Sequence, residues 1–284
     1  MSGADEVEVL ASALAALGLA EHEVTVLADH AGRRRVVRAG DVVVKAFAPV
    51  EEAAWRREVA GLRAVAGRSW APEVAGTGER WTATKFIDAV VPMNEGVDNA
   101  AIHTAIGPAL AALHDVEPNG LAPWPLADRI RAFVAAPPPA CPPALAAAVG
   151  RLVEPLLPLV RDGGFVHGDW GTANVLVHPD RLTEVIAVID FEDAHAGDPA
   201  EDGKWQVLSG PTSEDLVAMG AAYRSAGGDL GPHATERLVV AGAELCLDVL
   251  GWANLSLPVA DRFHTRCRQT LEELVAGTWP VWTT

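Results

Sequence analysis

Cysteine is scarce in this chain of 284 residues, and the three present, Cys141, Cys246 and Cys267, show no CxxC spacing. That scatter argues against a zinc site or a disulfide framework and leaves the thiols as core side chains. Long apolar runs are missing too. The segment ALAAAVGRLVEPLLPLV is interrupted by Arg151, Glu154 and Pro155, well short of the roughly 20 apolar residues that cross a bilayer. The amino-terminal MSGADEVEVLASALAALGLAEHE starts acidic, with no basic stretch before its apolar residues, unlike a secretory signal. A soluble, cytoplasmic protein with no membrane partner is expected. Positive charge is the third deficit: 22 Lys and Arg stand against 38 Asp and Glu, a net charge of −16. The first 85 residues are nearly balanced, so almost all of the excess lies beyond them. Such a chain repels nucleic acid and anionic membrane and attracts metal ions and polyamine-like substrates. Solubility alone also accounts for the acidity.

What is present is 50% apolar residues, over a length sufficient for one or two compact domains. Val24 to Phe47 reads as three strands, VTVLA, RRVVR and DVVVKAF, separated by turn-prone stretches around Gly32 and Ala39-Gly40-Asp41. EEAAWRREVAGLRAVA, at 51–66, sets Ala54, Trp55, Val59, Leu62 and Val65 near one helical face, and strands are expected at about 73–78 and 81–87. Beyond Asp88 helical patterns dominate. They are interrupted by Pro-rich APPPACPPA at 136–144, read as a surface loop, and by a strand-rich insert at 164–190. The predicted class is α+β, with residues 1–88 a small antiparallel-sheet lobe carrying one main helix and residues 89–284 a larger, mainly helical lobe.

The densest chemistry lies in FVHGDWGTANVLVHPDRLTEVIAVIDFEDAHAGDPAEDGKW, from Phe165 to Trp205. VLVH at 175–178 and EVIAVI at 184–189 are strand-like, and the Pro and Asp of the intervening PDRLT suit a turn. Antiparallel pairing sets the start of one strand beside the end of the other, which draws Asn174 and Asp190 together. A carboxylate with an amide oxygen is a hard donor pair suited to Mg²⁺, which completes its octahedron with water and substrate phosphates. Asp169, five residues before Asn174 in a Gly-containing loop, is then free to orient an acceptor hydroxyl and accept its proton. A metal-bound carboxylate and a separate base carboxylate form a minimal kit for phosphoryl transfer.

These residues resemble the aminoglycoside phosphotransferase family, whose members have a protein-kinase-like fold and include antibiotic, choline and sugar kinases. His167-Gly168-Asp169 followed by Asn174 is similar to the family's HxDxxxxN loop, and Ile189-Asp190-Phe191-Glu192-Asp193 stands where kinases carry the metal-binding DFG segment. Gly197-Asp198-Pro199 with Asp202 also fits. The resemblance implies a two-lobed kinase-like fold, ATP as co-substrate and Mg²⁺ as cofactor. It implies Asp169 as catalytic base, Asn174 and Asp190 as Mg²⁺ ligands, Asp198 as a carboxylate bracing the catalytic loop, and His167 as structural support. For Asp198 and Asp202 helix capping is the alternative, and for Asp202 an equal one.

In the smaller lobe, Lys45 after the run VVV matches the kinase lysine that holds the α and β phosphates, with Glu58 as its helix partner. Glu51, Glu52 and Arg57 are rivals for ion pairing. By position TKFID, at 84–88, joins the lobes. The backbone groups of Lys85 and Ile87 are then candidates for a purine edge, and Phe86 for its wall or for the core. ADHAGRRR contains only Gly32, so a GxGxxG phosphate loop is absent, and His30 with Arg33 to Arg35 reads as a solvated face or as phosphate contacts. Seven residues separate Asp190 from Asp198, too few for a protein-kinase activation segment, so a small-molecule acceptor is expected. Candidate acceptor contacts are the loop at 193–196 and Glu244, Asp248, Trp252 and Asp261, with Trp252, Trp279 and Trp282 as stacking surfaces or core. The implied reaction moves the γ-phosphoryl group to a hydroxyl of an aminoglycoside-like or other antibiotic. A sugar, homoserine or choline kinase and a catalytically silent nucleotide-binding module are the alternatives. The oligomeric state has no signature in the sequence.

Overall fold

β-Branched runs punctuated by glycine turns dictate the first sheet. In the computed structural model, which describes residues 4–30, 32–205, 213–252 and 257–278, these runs form β1 (Val24–His30), β2 (Arg34–Ala39) and β3 (Val42–Phe47). Gly32 and Gly40 take positive φ in the tight connections, a conformation that costs glycine little. With β4 (Val74–Gly78) and β5 (Trp81–Lys85) the strands pair in the order β1-β2-β3-β5-β4, antiparallel throughout. Two helices accompany this sheet rather than the one expected. Helix α1 (Ala4–Ala16) lays Val9, Leu10, Ala13 and Leu14 into a shared core with Val37, Val42, Val44 and Ala83. Helix α2 (Glu52–Ala64) buries Ala54, Glu58, Val59, Gly61 and Leu62, the face that the apolar spacing marked out.

Two further pairings lie downstream. β6 (Gly164–Val166) pairs with β9 (His195–Gly197), and β7 (Val175–His178) with β8 (Arg181–Val188). The β7–β8 hairpin turns on Pro179 and Asp180 alone, so its second strand starts three residues before the stretch expected from sequence.

The chain folds as two compact units, one of residues 1–97, 119–122 and 172–195, the other of 98–118, 123–171 and 196–284. The change of pattern near residue 88 is therefore not the only division: the hairpin segment groups with the amino-terminal sheet. Backbone bonds account for this. Val90 and Val177 exchange hydrogen bonds of 3.1 and 2.9 Å, and the Val188 amide donates to the Trp70 carbonyl at 3.0 Å.

The second unit is helical: α3 (Asn99–His114), α4 (Leu126–Ala135), α5 (Pro143–Val153), α6 (Ser213–Ser225), α7 (Ala234–Val249) and α8 (Leu257–Ala276). Asp98 caps α3 by accepting from the Ala101 amide at 3.2 Å. The Pro-rich stretch is the α4–α5 connection, and Pro143 opens α5 where its missing N–H costs nothing. Ile130, Val149, Val153, Leu247 and Leu271 are among the side chains that fill this unit's core. Cys141, Cys246 and Cys267 are free and buried. Among the described residues, no helix is long and apolar enough to cross a membrane.

Helices α3 and α6 meet backbone to backbone at Gly107. A Cβ there would lie 2.7 Å from the Met219 carbonyl oxygen and 2.8 Å from the Tyr223 nitrogen. Gly107→Ala is therefore expected to force the helices apart and to lower stability by about 1–3 kcal/mol, as overpacking does. Denaturant unfolding measures it, and an unchanged midpoint would contradict such close packing.

Candidate active site

In the first unit a buried lysine organises the chemistry. β3 is the central strand, so Lys45 is only 8% exposed. Its Nζ lies 3.4 Å from Glu58 Oε2 and 2.7 Å from Glu192 Oε2, and it also pairs with Asp190 Oδ1. Glu192 pairs in addition with Arg34 of β2. The Arg57 guanidinium of α2 donates to the Glu192 carbonyl at 2.6 Å and to Asp193 Oδ1 at 3.1 Å, strapping the 190–193 segment to the helix. Gly61 permits this approach: a Cβ on it would sit 2.6 Å from Phe191 Cβ.

The hairpin brings the other donor. The Asn174 carbonyl accepts from the Ile189 amide at 2.9 Å, one residue before Asp190, and the register runs on from Val175 opposite Val188. Asp190 itself adopts φ +69°. Left-handed backbone in a residue other than glycine is uncommon and concentrates at functional sites.

Charge in this cluster is unbalanced, with three carboxylates against Lys45 and Arg34. Burial lifts the Glu58 and Glu192 carboxyls above the ordinary glutamate range, and the neighbouring Asp190 charge adds to the effect. Burial also works against the Lys45 ammonium, but Asp190, Glu58 and Glu192 outweigh it and raise its pKa. Glu192 Oε2 is buried and faces the Lys45 ammonium at 2.7 Å. A carboxylate and an amide oxygen, the side-chain donor types of Asp190 and Asn174, suit a hard divalent cation such as Mg²⁺; among the described residues no cluster of three or more His, Cys, Asp or Glu forms a metal site.

In the second unit, β6 leads into His167-Gly168-Asp169. Gly168 has φ +83°, and its two backbone groups are both engaged. Its amide donates to Asp202 Oδ1 at 2.8 Å, and its carbonyl accepts from Trp205 Nε1 at 3.3 Å. The His167 amide donates to Asp202 Oδ2 at 2.9 Å, and His114 Nε2 lies 3.1 Å from the same oxygen. Asp202 is fully buried. Burial opposes its charge, but hydrogen bonding from His114, the His114 and His167 rings and the His167 amide prevail and depress its pKa.

The brace expected of Asp198 is thus supplied by Asp202. Asp198 instead caps the 3₁₀ turn Pro199–Gly203: it accepts from the Ala200 amide at 3.0 Å, while its own amide donates to Glu201. It also accepts from the Arg161 amide at 2.9 Å and from Arg237 at 2.6 Å. Asp198 thus takes the capping role, the alternative weighed for both aspartates, and Asp202 the bracing one. His167 is fully buried with its ring edge-on to Trp170, and the Asp169 amide points at its Nδ1 from 3.4 Å.

A loop of this form, with a buried Lys–Glu pair and a metal-type carboxylate, is the equipment of phosphoryl transfer. The sequence profile of the phosphotransferase enzyme family matches residues 23–236. The chain belongs to this family. It is a phosphotransferase, with the α+β, kinase-like architecture that its structural neighbours share. A choline/ethanolamine kinase family protein from Mesorhizobium loti superposes with a TM-score of 0.72 at 19% identity, covering 96% of this chain and 99% of that one. The streptomycin–ATP ternary complex of the phosphotransferase APH(2")-IIa gives 0.66 at 14% identity, covering 95% and 98%. Macrolide 2'-phosphotransferase type I gives 0.66 at 19% identity, covering 93% and 96%. No curated protein sequence matches.

The remaining candidates of this phosphotransferase fall as follows. Lys85 is exposed and paired with Asp41 at 2.8 Å; its amide donates to the Glu73 carbonyl, and that of Phe86 to the Asp41 carbonyl. The Phe86 ring lies under the Arg38 guanidinium at 3.6 Å, and Ile87 is half-buried. Arg33, Arg34 and Arg35 all pair with carboxylates, of Glu51, Glu192 and Asp29. Glu244 and Asp248 of α7 are bridged by Arg129 at 2.6 and 2.8 Å, and Trp252 donates to Asp248 at 2.9 Å. Asp261 is exposed. Trp279 and Trp282 lie outside the described residues.

Sequence reasoning passed over Glu192 and Arg34 as a pair, and His114. Glu192 could have been suspected as a carboxylate two positions after Asp190, whereas His114 had no signal beyond closing a helical pattern.

Proposed function

We propose that this phosphotransferase moves the γ-phosphoryl group of ATP to a hydroxyl of a small molecule of antibiotic type. The observation that carries the reading is Lys45, buried and shared among Glu58, Asp190 and Glu192 in the unit that also holds Asn174. In this reading Lys45 holds the α and β phosphates, with Glu58 fixing its ammonium. Asn174 and Asp190 would hold Mg²⁺, which when bound neutralises phosphate charge. Asp169 takes the proton of the acceptor hydroxyl as its oxygen bonds to the γ-phosphorus, and the bond to the β,γ-bridging oxygen breaks to release ADP. With the Lys85 and Phe86 amides committed, the backbone at Ile87 becomes the favoured purine contact and Phe86 its neighbour. His167 and Asp198 support the loop and the turn beneath it.

The overall acidity suits an amine-bearing acceptor, and proteins with aminoglycoside, macrolide and choline chemistry share the fold. One local observation favours an acceptor of low positive charge, of macrolide or amino-alcohol type, over a polycation. Arg129 already compensates Glu244 and Asp248, and the charge of Lys204 acts on Glu244 as well. The test is incubation with Mg-ATP and a mixed panel of aminoglycosides, macrolides, nucleosides, sugars and amino alcohols, read by mass spectrometry. A mass gain of one phosphate on a panel member is expected. Binding of Mg-ATP with no phosphorylated product across the panel would favour the silent module.

A further inference from the structure

Behind the loop amides that Asp202 holds lies a chain of buried polar groups that phosphoryl transfer does not itself use. His114, at the end of α3, contacts Asp202 through Nε2 and the Tyr223 hydroxyl of α6 through Nδ1, at 3.1 and 3.0 Å. Tyr223 is 2% exposed, and the side chains of His114 and Asp202 are 6% and 0% exposed. The two rings meet edge to face, with centroids 5.6 Å apart.

Hydrogen-bond accounting fixes the proton on Nε2 and, for a neutral ring, the one on Tyr223. Asp202 is an acceptor, already receiving the His167 and Gly168 amides, so His114 has to present Nε2–H to it. In the neutral imidazole Nδ1 is then an acceptor, and the group facing it is the Tyr223 hydroxyl, which donates. Burial, followed by the charges of Asp229 and Asp202, raises the Tyr223 pKa and keeps that proton in place. The tyrosine has little freedom to turn away. Its backbone nitrogen lies against Gly107 of α3, and a Cβ on Gly228 would fall 2.4 Å from its ring.

We propose that Tyr223 is a positioning residue for the catalytic loop: its hydroxyl, bonded to Nδ1, holds the His114 ring in the orientation in which Nε2–H reaches Asp202, and Asp202 in turn sets the backbone of His167 and Gly168 ahead of Asp169. The consequence for catalysis rests on the reading of Asp169 as base. The consequence for loop position does not. Without the phenol, Nδ1 loses its donor and the ring is free to turn, so the bond from Nε2–H to Asp202 weakens without any change of net charge.

The test uses the full chain labelled with ¹⁵N-histidine and ¹⁵N-glycine and compares wild type, Tyr223→Phe, His114→Gln and the double variant. His114→Gln assigns the His114 resonances, and its amide can still donate to Asp202 without help from residue 223. In Tyr223→Phe the Nδ1 resonance is expected to move toward that of a nitrogen receiving no hydrogen bond. Amide exchange at His167 and Gly168 should rise roughly three- to tenfold. Turnover of Mg-ATP, with water as acceptor, should fall by a similar factor at unchanged KM, and Tyr223→Phe should add nothing in the His114→Gln background.

The chain contains a single tyrosine, so growth on 3-fluorotyrosine perturbs this hydroxyl alone and keeps the test open should Tyr223→Phe fail to fold. Unmoved His114 resonances in both proteins, or unchanged exchange at both amides in folded Tyr223→Phe, would overturn the proposal. Faster exchange beside an Asp169→Asn variant of full activity would leave the positioning intact and place the fault with Asp169.

Discussion

Asp169→Asn is expected to reduce turnover by about 10²–10⁴-fold, the range typical of a lost general base, while nucleotide affinity and unfolding midpoint stay near wild type. The substitution is isosteric, and the side chain is only half-buried. The anchors of the loop are elsewhere: the amides of His167 and Gly168 go to Asp202, and the carbonyl of Gly168 to Trp205. Asparagine keeps the shape and removes the basic oxygen. Because the phosphate-binding candidates Lys45, Asn174 and Asp190 belong to the other unit, a loss in kcat without a loss in ADP affinity, measured by calorimetry, separates proton transfer from nucleotide binding. Turnover within a factor of three of wild type would remove Asp169 from the base assignment.

The parts of this protein that could be read from sequence are those set by local rules. Lys45 was legible because a run of valines ending in lysine is a central strand with one polar interruption, and Glu58 because it abuts the apolar face of an amphipathic helix. The hairpin around Asn174 and Asp190 was legible from two strand-like runs and a Pro-Asp turn. Fold class followed from the change of hydrophobic period near residue 88. What escaped depends on tertiary packing. Arg33, Arg34 and Arg35 are alike in sequence, but β2 alternates its faces, so only Arg34 reaches Glu192. Asp198 and Asp202 lie one turn apart in an acidic stretch, and no local rule says which will face the amides at 167 and 168. Arg237, 39 residues beyond Asp198, meets it only because α7 packs beside the 3₁₀ turn. The same holds for the discontinuous first unit: backbone bonds from Val177 to Val90 and from Val188 to Trp70 carry no periodic signature.

Arg237 gives the largest expected effect on stability. Its side chain and that of Asp198 are each 1% exposed and meet at 2.6 Å. The guanidinium also donates to the carbonyl oxygens of Leu230 and, at 3.3 Å, of His233. Arg237→Ala leaves a buried carboxylate without its counter-charge and two carbonyls short of a donor. Breaking a buried pair in this way costs about 3–5 kcal/mol, a large share of the roughly 5–15 kcal/mol that holds a domain folded. Arg237→Lys restores charge but not the planar fork, and should recover only part of the loss. Arg237→Met combined with Asp198→Asn should cost less than Arg237→Ala alone, because no uncompensated charge remains. Urea unfolding of the four proteins decides the matter, and a loss below about 1 kcal/mol in Arg237→Ala would mean that water reaches Asp198 and screens it. The position has a catalytic consequence as well. Asp198 caps the turn that carries Asp202, and Asp202 holds the loop of Asp169, so Arg237→Lys is expected to lose turnover at temperatures where it is still fully folded.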